Sequence, residues 1–484
     1  MLTKEQLLEK SKKPSADALK MHPFFKGKIM STLKCAVRDF DDFAIWYTPG
    51  VAAACRDIEA HPEKVFEHTN KANMVAVVSD GTRVLGLGDI GPEAAIPVME
   101  GKAILFKYLG GVDAWPICLD TKDAEEIIKT VKLISPCFGG INLEDLSQPK
   151  CFHILDTLRK EAKIPVWHDD QQGTAAVTLA GLINAFKIVK KNIKDARITL
   201  IGSGAANVAC ARVMLAYGVN PGKLIMVDSK GTLHKGRTDI PPDYKEKLRF
   251  CQITNAEQRK GNIAEAMEGA DAVVALAKSG PDVIKKEWVK KMAKDAIMFA
   301  CANPIPEIYP WEAEEAGAKV VATGRSDFPN QVNNSLCFPA IFRGTLDVMA
   351  TTITDEMCIE SAMELAKCAE DKGLKKDYLL PKMDEWEVFP RQAVKVGLKA
   401  IEQKVARIKL PKEKLMEIAE AKIRKARDEG KCTPTCSRTC SVADWMACTW
   451  SAVRTMSVES STSRAPSSSR IRPTCSSVQA ISPS

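Results

Sequence analysis

The apolar positions along the chain change pattern near residue 170. Before it, helical stretches mix with short apolar runs. AVVSD (76–80) and RVLGLG (83–88) read as strands joined by an Asp80-Gly81 turn, and VDAWPICLD (112–120) as another buried strand. From about 170 to 330, runs of strand length alternate with helical ones. TAAVTLAGLINAFKIVKK (174–191) predicts a helix, ARITLIG (196–202) a strand, NVACARVMLAYG (207–218) a helix and GKLIMVDSKG (222–231) a strand. DAVVALAKSG, AIMFACANP and KVVATG follow as buried strands. Such alternation predicts an α/β fold with a parallel, doubly wound sheet. Residues 345–430 read as mostly helical, and a charged amphipathic helix over 409–431 is expected to end at Gly430. The expected organisation is an N-terminal α/β domain (1–168), a doubly wound domain (169–335) and a helical segment (336–430) packing back on them.

Composition adds limits. A chain of 484 residues, 45% hydrophobic and 27% charged, is of ordinary globular type and long enough for two or three domains. No apolar run approaches the roughly 20 residues that cross a bilayer. The opening MLTKEQLLEKSKKPSADALK has neither the apolar core of a secretory signal nor the acid-poor composition of a transit peptide, so a cytoplasmic location is expected. About half of the net charge of +8 sits in residues 431–484, which hold six basic and two acidic residues. The rest is too nearly balanced to point to nucleic acid. That Ser/Thr-rich tail lacks periodicity and is expected to be disordered. Its Cys432, Cys436 and Cys440 lack the paired spacing and histidines of a zinc site. The other cysteines are scattered and read as small buried hydrophobes kept reduced.

The first chemical signal is ITLIGSGAANVACARVML (198–215). Gly202 and Gly204 follow a strand and open a helix at Ala205, the context in which backbone N–H groups cradle a pyrophosphate. Asp228 closes the next strand, where an acid meets a ribose hydroxyl. The pattern implies NAD or NADP in a Rossmann-type domain. At the third position stands Asn207, so packing there is looser or its amide touches the cofactor. Asp228 favours NAD, whereas Lys230, Lys235 and Arg237 just downstream favour NADP, and the choice stays open.

The second signal is acidic. INLEDLSQPKCF (141–152) sets Glu144 and Asp145 side by side at a strand end, and IPVWHDDQQGTAAVTL (164–179) sets His168, Asp169 and Asp170 in a row. Read alone, the first is a solvated turn and the second a helix cap. Together they offer the carboxylate oxygens that Mg²⁺ or Mn²⁺ prefers.

Longer blocks give a family likeness. FAIWYTPGVAAACRDI, SDGTRVLGLGDIGPEAAIPVMEGKAILFK, GGINLEDLSQPKCF, PVWHDDQQGTAAV, FACANPIPEI and ATGRSDFPNQVNNSLCFPAIFRG occur in order. Over about residues 20–430 the chain resembles the malic enzymes, particularly the shorter microbial type. The resemblance implies metal-dependent oxidative decarboxylation of L-malate to pyruvate with reduction of NAD(P), in a homodimer. It implies Glu144, Asp145 and Asp170 as ligands of Mg²⁺ or Mn²⁺. Arg83, Asn303 and Asn334 would bind substrate, with Asn303 also at the cofactor beside Gly202, Gly204, Ala205, Asn207 and Asp228. Tyr47 and Lys102 would be catalytic, with Asp169 orienting or pairing with Lys102. His168 reads as a buried neighbour of the metal rather than a ligand.

These residue types suit that chemistry. Oxidation at C2 needs a base for the hydroxyl proton, and a lysine serves only if burial or nearby cations depress its pKa. A Lewis acid polarises the C2 carbonyl for loss of CO₂. The remaining enolate needs an acid at C3, the part implied for Tyr47 with Lys102 behind it. A malolactic-type enzyme, an oxaloacetate decarboxylase and a non-catalytic dinucleotide-binding protein are the alternatives on this scaffold.

Overall fold

The structure is a computed structural model that describes residues 4–431. The Ser/Thr-rich tail, with its expected disorder and its cysteines, lies outside the described residues.

Two sheets organise the chain. The first is wholly parallel and consists of β1 (Met74–Ser79), β2 (Asp113–Cys118), β3 (Gly140–Leu143) and β4 (Val166–His168), in the order β2-β1-β3-β4. The second contains β5 (Ile198–Ile201), β6 (Leu224–Asp228), β7 (Gly231–Thr232), β8 (Ala272–Ala275), β9 (Ile297–Ala300) and β10 (Val320–Thr323). Its order is β10-β9-β8-β5-β6-β7, and only the β6/β7 pair is antiparallel. Apolar runs form these strands because both faces are covered. On β1, Val75 and Val77 enter one core while Ala76 and Val78 enter the other.

Each sheet has a switch point. β5 pairs with β6 on one side and β8 on the other, so the chain reverses direction across the sheet there. A crevice opens beyond the carboxyl ends of such a strand pair, and ligands of doubly wound sheets bind in it. The first sheet repeats the device, since β1 pairs with both β2 and β3.

The helices that matter for the site are α1 (Lys4–Phe25), α2 (Phe40–Trp46), α3 (Val51–Ala60), α4 (Pro92–Gly110), α5 (Thr174–Ile188), α6 (Ala205–Tyr217), α7 (Phe338–Asp347), α8 (Asp355–Asp371), α9 (Val388–Glu402) and α10 (Lys412–Lys431). Phe106 of α4 meets Phe338 and Phe342 of α7 at ring distances of 4.6 and 5.1 Å, and Trp167 of β4 meets Phe342 at 6.4 Å. This aromatic knot joins α4, α7 and the end of the first sheet in one core. The α10 helix is tied in by charge: Lys422 Nζ lies 2.9 Å from Asp347, whose carboxylate also takes the buried Arg343 guanidinium bidentately.

Three local expectations need correction. RVLGLG is not a strand: Leu85 and Gly88 have φ of +48° and +84°, and only a bridge from Val84 to Gly88 forms. Its leucines have no core to enter, so Leu85 and Leu87 stay exposed. VDAWPICLD does form β2, but at a sheet edge, and Trp115 is 42% exposed rather than buried. Gly430 does not end the last helix, which continues to Lys431.

Candidate active site

The acids meet beyond the ends of β3 and β4. Glu144 N–H donates to Val78 O and Arg83 N–H to Asp145 O, both at 2.9 Å, which lays the loop after β1 against the loop after β3. Asp145 takes a φ of +55°, a strained value for a residue with a side chain, and its N–H donates to Asp170 Oδ2 at 2.8 Å. Carboxylate oxygens of Glu144, Asp145 and Asp170 all lie within 4.8 Å of one another.

The stretch from Asp169 to Gly173 is not a capped helix start. A single π-type turn joins β4 to α5, closed by Thr174 N–H on Asp169 O, with no capping side chain at His168. The turn folds the Asp169 side chain back over Gly173, where an added Cβ would stand 1.9 Å from Asp169 Oδ1. Asp169 and Asp170 thus serve different neighbours. His168 is fully buried, and neither ring nitrogen has a hydrogen-bond partner. Burial lowers its pKa, which keeps the ring neutral beside Asp170, 3.6 Å away.

Lys102, in the middle of α4, reaches into this cluster. Its Nζ lies 2.5 Å from Asp169 Oδ2, 3.0 Å from Glu144 Oε1 and 3.4 Å from Asn334 Oδ1, over the Phe338 ring at 4.9 Å. Burial works against its charge, but Asp169, Glu144 and Asp170 outweigh burial and raise its pKa. The acids by themselves therefore hold Lys102 as an ammonium, and a cation among them is what would depress its pKa. Burial first, then crowding by Asp170, pushes the carboxyls of Glu144 and Asp145 above the usual range against the pull of Lys102. Asp145 Oδ2 is buried without a partner. Crowded, partnerless carboxylate oxygens are what a hard divalent cation satisfies, so this donor set fits Mg²⁺ or Mn²⁺.

Other expected residues stand farther out. The Arg83 side chain is exposed and donates to Leu85 O at 3.2 Å, although its backbone is tied to Asp145. Asn303 is exposed just beyond β9. Tyr47 follows α2 and is 71% exposed, and no hydrogen bond joins it to Lys102.

The second crevice is made mostly of backbone. Gly202 has φ of +94°, and a Cβ on it would meet Leu276 O at 2.7 Å, so the turn after β5 lies directly on the loop after β8. A Cβ on Gly204 would meet nothing within 4 Å. That open space lies at the uncapped start of α6 at Ala205, where the first helical N–H groups lack intrahelical partners and can cradle a phosphate. Asn207 is fully buried, and its Nδ2 donates to Ile201 O and Gly202 O at 2.8 and 2.9 Å, bracing the turn from behind. Asp228 ends β6 in the bidentate grip of Arg237, at 3.1 and 3.0 Å, with Lys247 Nζ 3.8 Å away. Lys230 pairs instead with Asp239.

The sequence reading missed three contributors. Gly173 has a signal, a glycine four residues after Asp169 where a side chain would collide. Asp80 was taken only as part of a turn. It is buried and accepts from Thr82 N–H, Thr82 Oγ1 and the Lys150 ammonium, which fixes the loop carrying Arg83. Glu307 had no local signal beyond an acid in an apolar run.

Comparison with known proteins agrees with this geometry. The profile of the malic enzyme N-terminal domain matches residues 26–159, and that of the malic enzyme NAD-binding domain matches residues 171–403. A bifunctional malic/malolactic enzyme of Bacillus subtilis is 48% identical over 401 residues, covering 83% of this chain and 96% of the relative. An NAD-dependent malic enzyme of Geobacillus stearothermophilus is 52% identical over 365 residues, 75% of each chain. The crystal structure of Entamoeba histolytica malic enzyme superposes with a TM-score of 0.87 at 45% identity, covering 94% of this chain and 96% of that one. With both domain profiles matched in order across most of its length, the chain belongs to the malic enzyme family.

Proposed function

We propose that the chain converts L-malate and NAD(P)⁺ to pyruvate, CO₂ and NAD(P)H, with residues 1–168 supplying most of the substrate and metal side and 169–335 the nucleotide side together with Asp169, Asp170, Asn303 and Asn334. The single observation behind this is the ammonium of Lys102 set between Asp169 and Glu144, beside three carboxylates that fit a divalent cation. When bound, that cation supplies Lewis-acid polarisation of the C2 oxygen, and the dinucleotide accepts the C2 hydride. With a cation on the acids Lys102 would give up its own proton, take that of the C2 hydroxyl and pass it through Tyr47 to C3, while Asp169 fixes where Nζ stands. Asn334, 3.4 Å from the same Nζ, orients malate against it. Arg83, on a loop tied to Asp145, takes a malate carboxylate with its planar fork. Asn303 would contact both the dinucleotide and the substrate, and Tyr47 would deliver a proton to C3.

Tyr47 belongs to an arm rich in exposed apolar side chains, among them Met30, Leu33, Phe40 and Trp46, while α3 buries none of its residues. A surface of that kind fits an interface. We read the arm as the contact of a homodimer, whose formation closes Tyr47 over an active site. No helix among the described residues is long and apolar enough to cross a membrane, and the reading places the enzyme in the cytoplasm.

Asp228 favours a free ribose hydroxyl, but Arg237 cancels much of its charge, so the reading admits both NAD and NADP. The test is an assay of the purified chain with malate, Mn²⁺ and each dinucleotide. Reduced cofactor and pyruvate in equal amounts are expected. Lactate without reduced cofactor would replace this reading by the malolactic one.

A further inference from the structure

Glu307 is an acid without a cation. Its side chain is fully buried, and its oxygens accept from Ala277 N–H at 2.9 Å and from Ala302 N–H at 3.0 Å. Those two donors belong to different loops, the one after β8 and the one after β9. The same loops meet again at Ser279, whose Oγ donates to Ile305 O and accepts from Ile305 N–H, both at 3.0 Å, while Gly280 N–H donates to Ile305 O.

The position of this double clamp matters. Leu276 and Ala277, at its near end, are the residues on which the Gly202 turn rests. Ala302, at its far end, immediately precedes Asn303. A continuous set of close contacts therefore runs from the phosphate cradle to Asn303, and Glu307 is its midpoint. Burying a carboxyl among backbone N–H groups with no cation is costly. Burial, partly offset by those two bonds and by the residue's own backbone N–H, pushes the Glu307 carboxyl up to about 7. An apolar side chain of equal size fills space at no such cost, so the acid answers a need for two acceptors at one point.

We propose that Glu307 is a positioning residue for the dinucleotide, holding the loops after β8 and β9 at the spacing that lets the Gly202 turn and Asn303 engage one cofactor. The proposal rests on the reading above that NAD(P) binds across this crevice. An ionised carboxylate offers an acceptor to each N–H. Glutamine, of the same size, offers one acceptor and turns its amide donors toward the other N–H, which sets donor against donor.

Glu307→Gln in the full chain is the test, read by calorimetric titration with NAD⁺ and by steady-state kinetics. The expected result is a chain that folds cooperatively with a lowered melting temperature, NAD⁺ affinity weaker by about 10-fold and a dinucleotide KM raised to match. At saturating dinucleotide, kcat should stay within about 3-fold, a split that a merely structural defect does not produce. Unchanged NAD⁺ affinity in folded Glu307→Gln overturns the proposal. Should that variant fail to fold, Ser279→Ala loosens the same clamp and should weaken NAD⁺ in the same direction, by about 3-fold. An unchanged affinity there overturns the proposal equally. Failure of the wild-type chain to bind NAD⁺ would instead overturn the functional reading.

Discussion

The two sheets share a plan and differ in what they place at it. The first is parallel throughout and the second in all but its β6/β7 edge pair, and each opens a crevice where its strand order reverses. The first fills its crevice with charged side chains: Glu144, Asp145, Asp169 and Asp170 around one lysine. The second leaves its crevice nearly bare, with two glycines, a helix start and one acid neutralised by Arg237. A proton and a metal need groups that can change charge or share electron pairs, and only side chains provide them. A pyrophosphate needs donors at short range, and the backbone provides those best when nothing stands in front of it.

Substitutions that act on one crevice alone sharpen this contrast. The largest effect is expected from Lys102→Ala, which should lower turnover by about 10³-fold, the scale of a lost acid–base group, while NAD⁺ titration stays at wild type. Turnover near wild type would break the assignment of charge chemistry to the first crevice. Next comes pH. The Glu307 carboxyl, ordinarily at 4.5, is pushed up to about 7 by burial. The folded chain therefore holds this proton more tightly than the unfolded one. The resulting stability is fully present below about pH 4.5 and lost as pH rises through 7, an effect of about 3 kcal/mol. In denaturant melts wild type should therefore lose about 3 kcal/mol relative to Glu307→Gln as pH rises from about 4.5 to above 7, and parallel curves would refute it.

Asp170→Asn should weaken Mn²⁺ by on the order of 100-fold in calorimetric titration and leave NAD⁺ affinity alone, since one of three charged ligands is removed. Gly204→Ala is the mirror experiment. The new methyl meets no protein atom, so melting should not move, yet it stands in the cradle and should weaken NAD⁺ by about 10-fold. Altered Mn²⁺ binding in that variant would mean the crevices are not separable. The smallest effect belongs to Arg237→Ala. Freed of its partner, Asp228 repels a 2′-phosphate, and the ratio of NADP⁺ to NAD⁺ affinity should fall by about 5-fold at low salt. A fall far beyond 5-fold would make Arg237 itself the phosphate ligand, and an unchanged or rising ratio would refute the role given to the Asp228–Arg237 pair.

The same contrast governs what was legible beforehand. The backbone crevice is written locally: a strand, Gly202, Gly204 and a helix lie within eighteen residues, and the alternating pattern around them predicts the sheet. The charged crevice is assembled from Lys102, the 144–145 pair and the 169–170 pair, segments that meet because β3 and β4 are neighbours and α4, packed on β1 and β2, carries Lys102 to their ends. Periodicity finds those elements without finding their juxtaposition, and the longer family blocks supplied it. Two failures have the same origin. RVLGLG looks like a strand by its apolar content, but no neighbouring strand is available to it. Glu307 looks like any acid, and only its two distant backbone donors distinguish it. The raised pKa of Lys102 was hidden for the opposite reason, because it depends on three acids collected from two loops.

The turn from Asp169 to Gly173 sets a limit on how the gene can drift. Its closing bond, from Thr174 back to Asp169, spans one residue more than an α turn. Losing one residue from Gln171-Gln172 would shorten it to an ordinary helical turn and rotate everything downstream by roughly 100° about the helix axis. One aspartate would then leave either the lysine or the other two acids, even with every functional side chain still encoded. Here length is inherited as strictly as residue identity, and insertions or deletions tolerated in the exposed arm should be absent from these five positions.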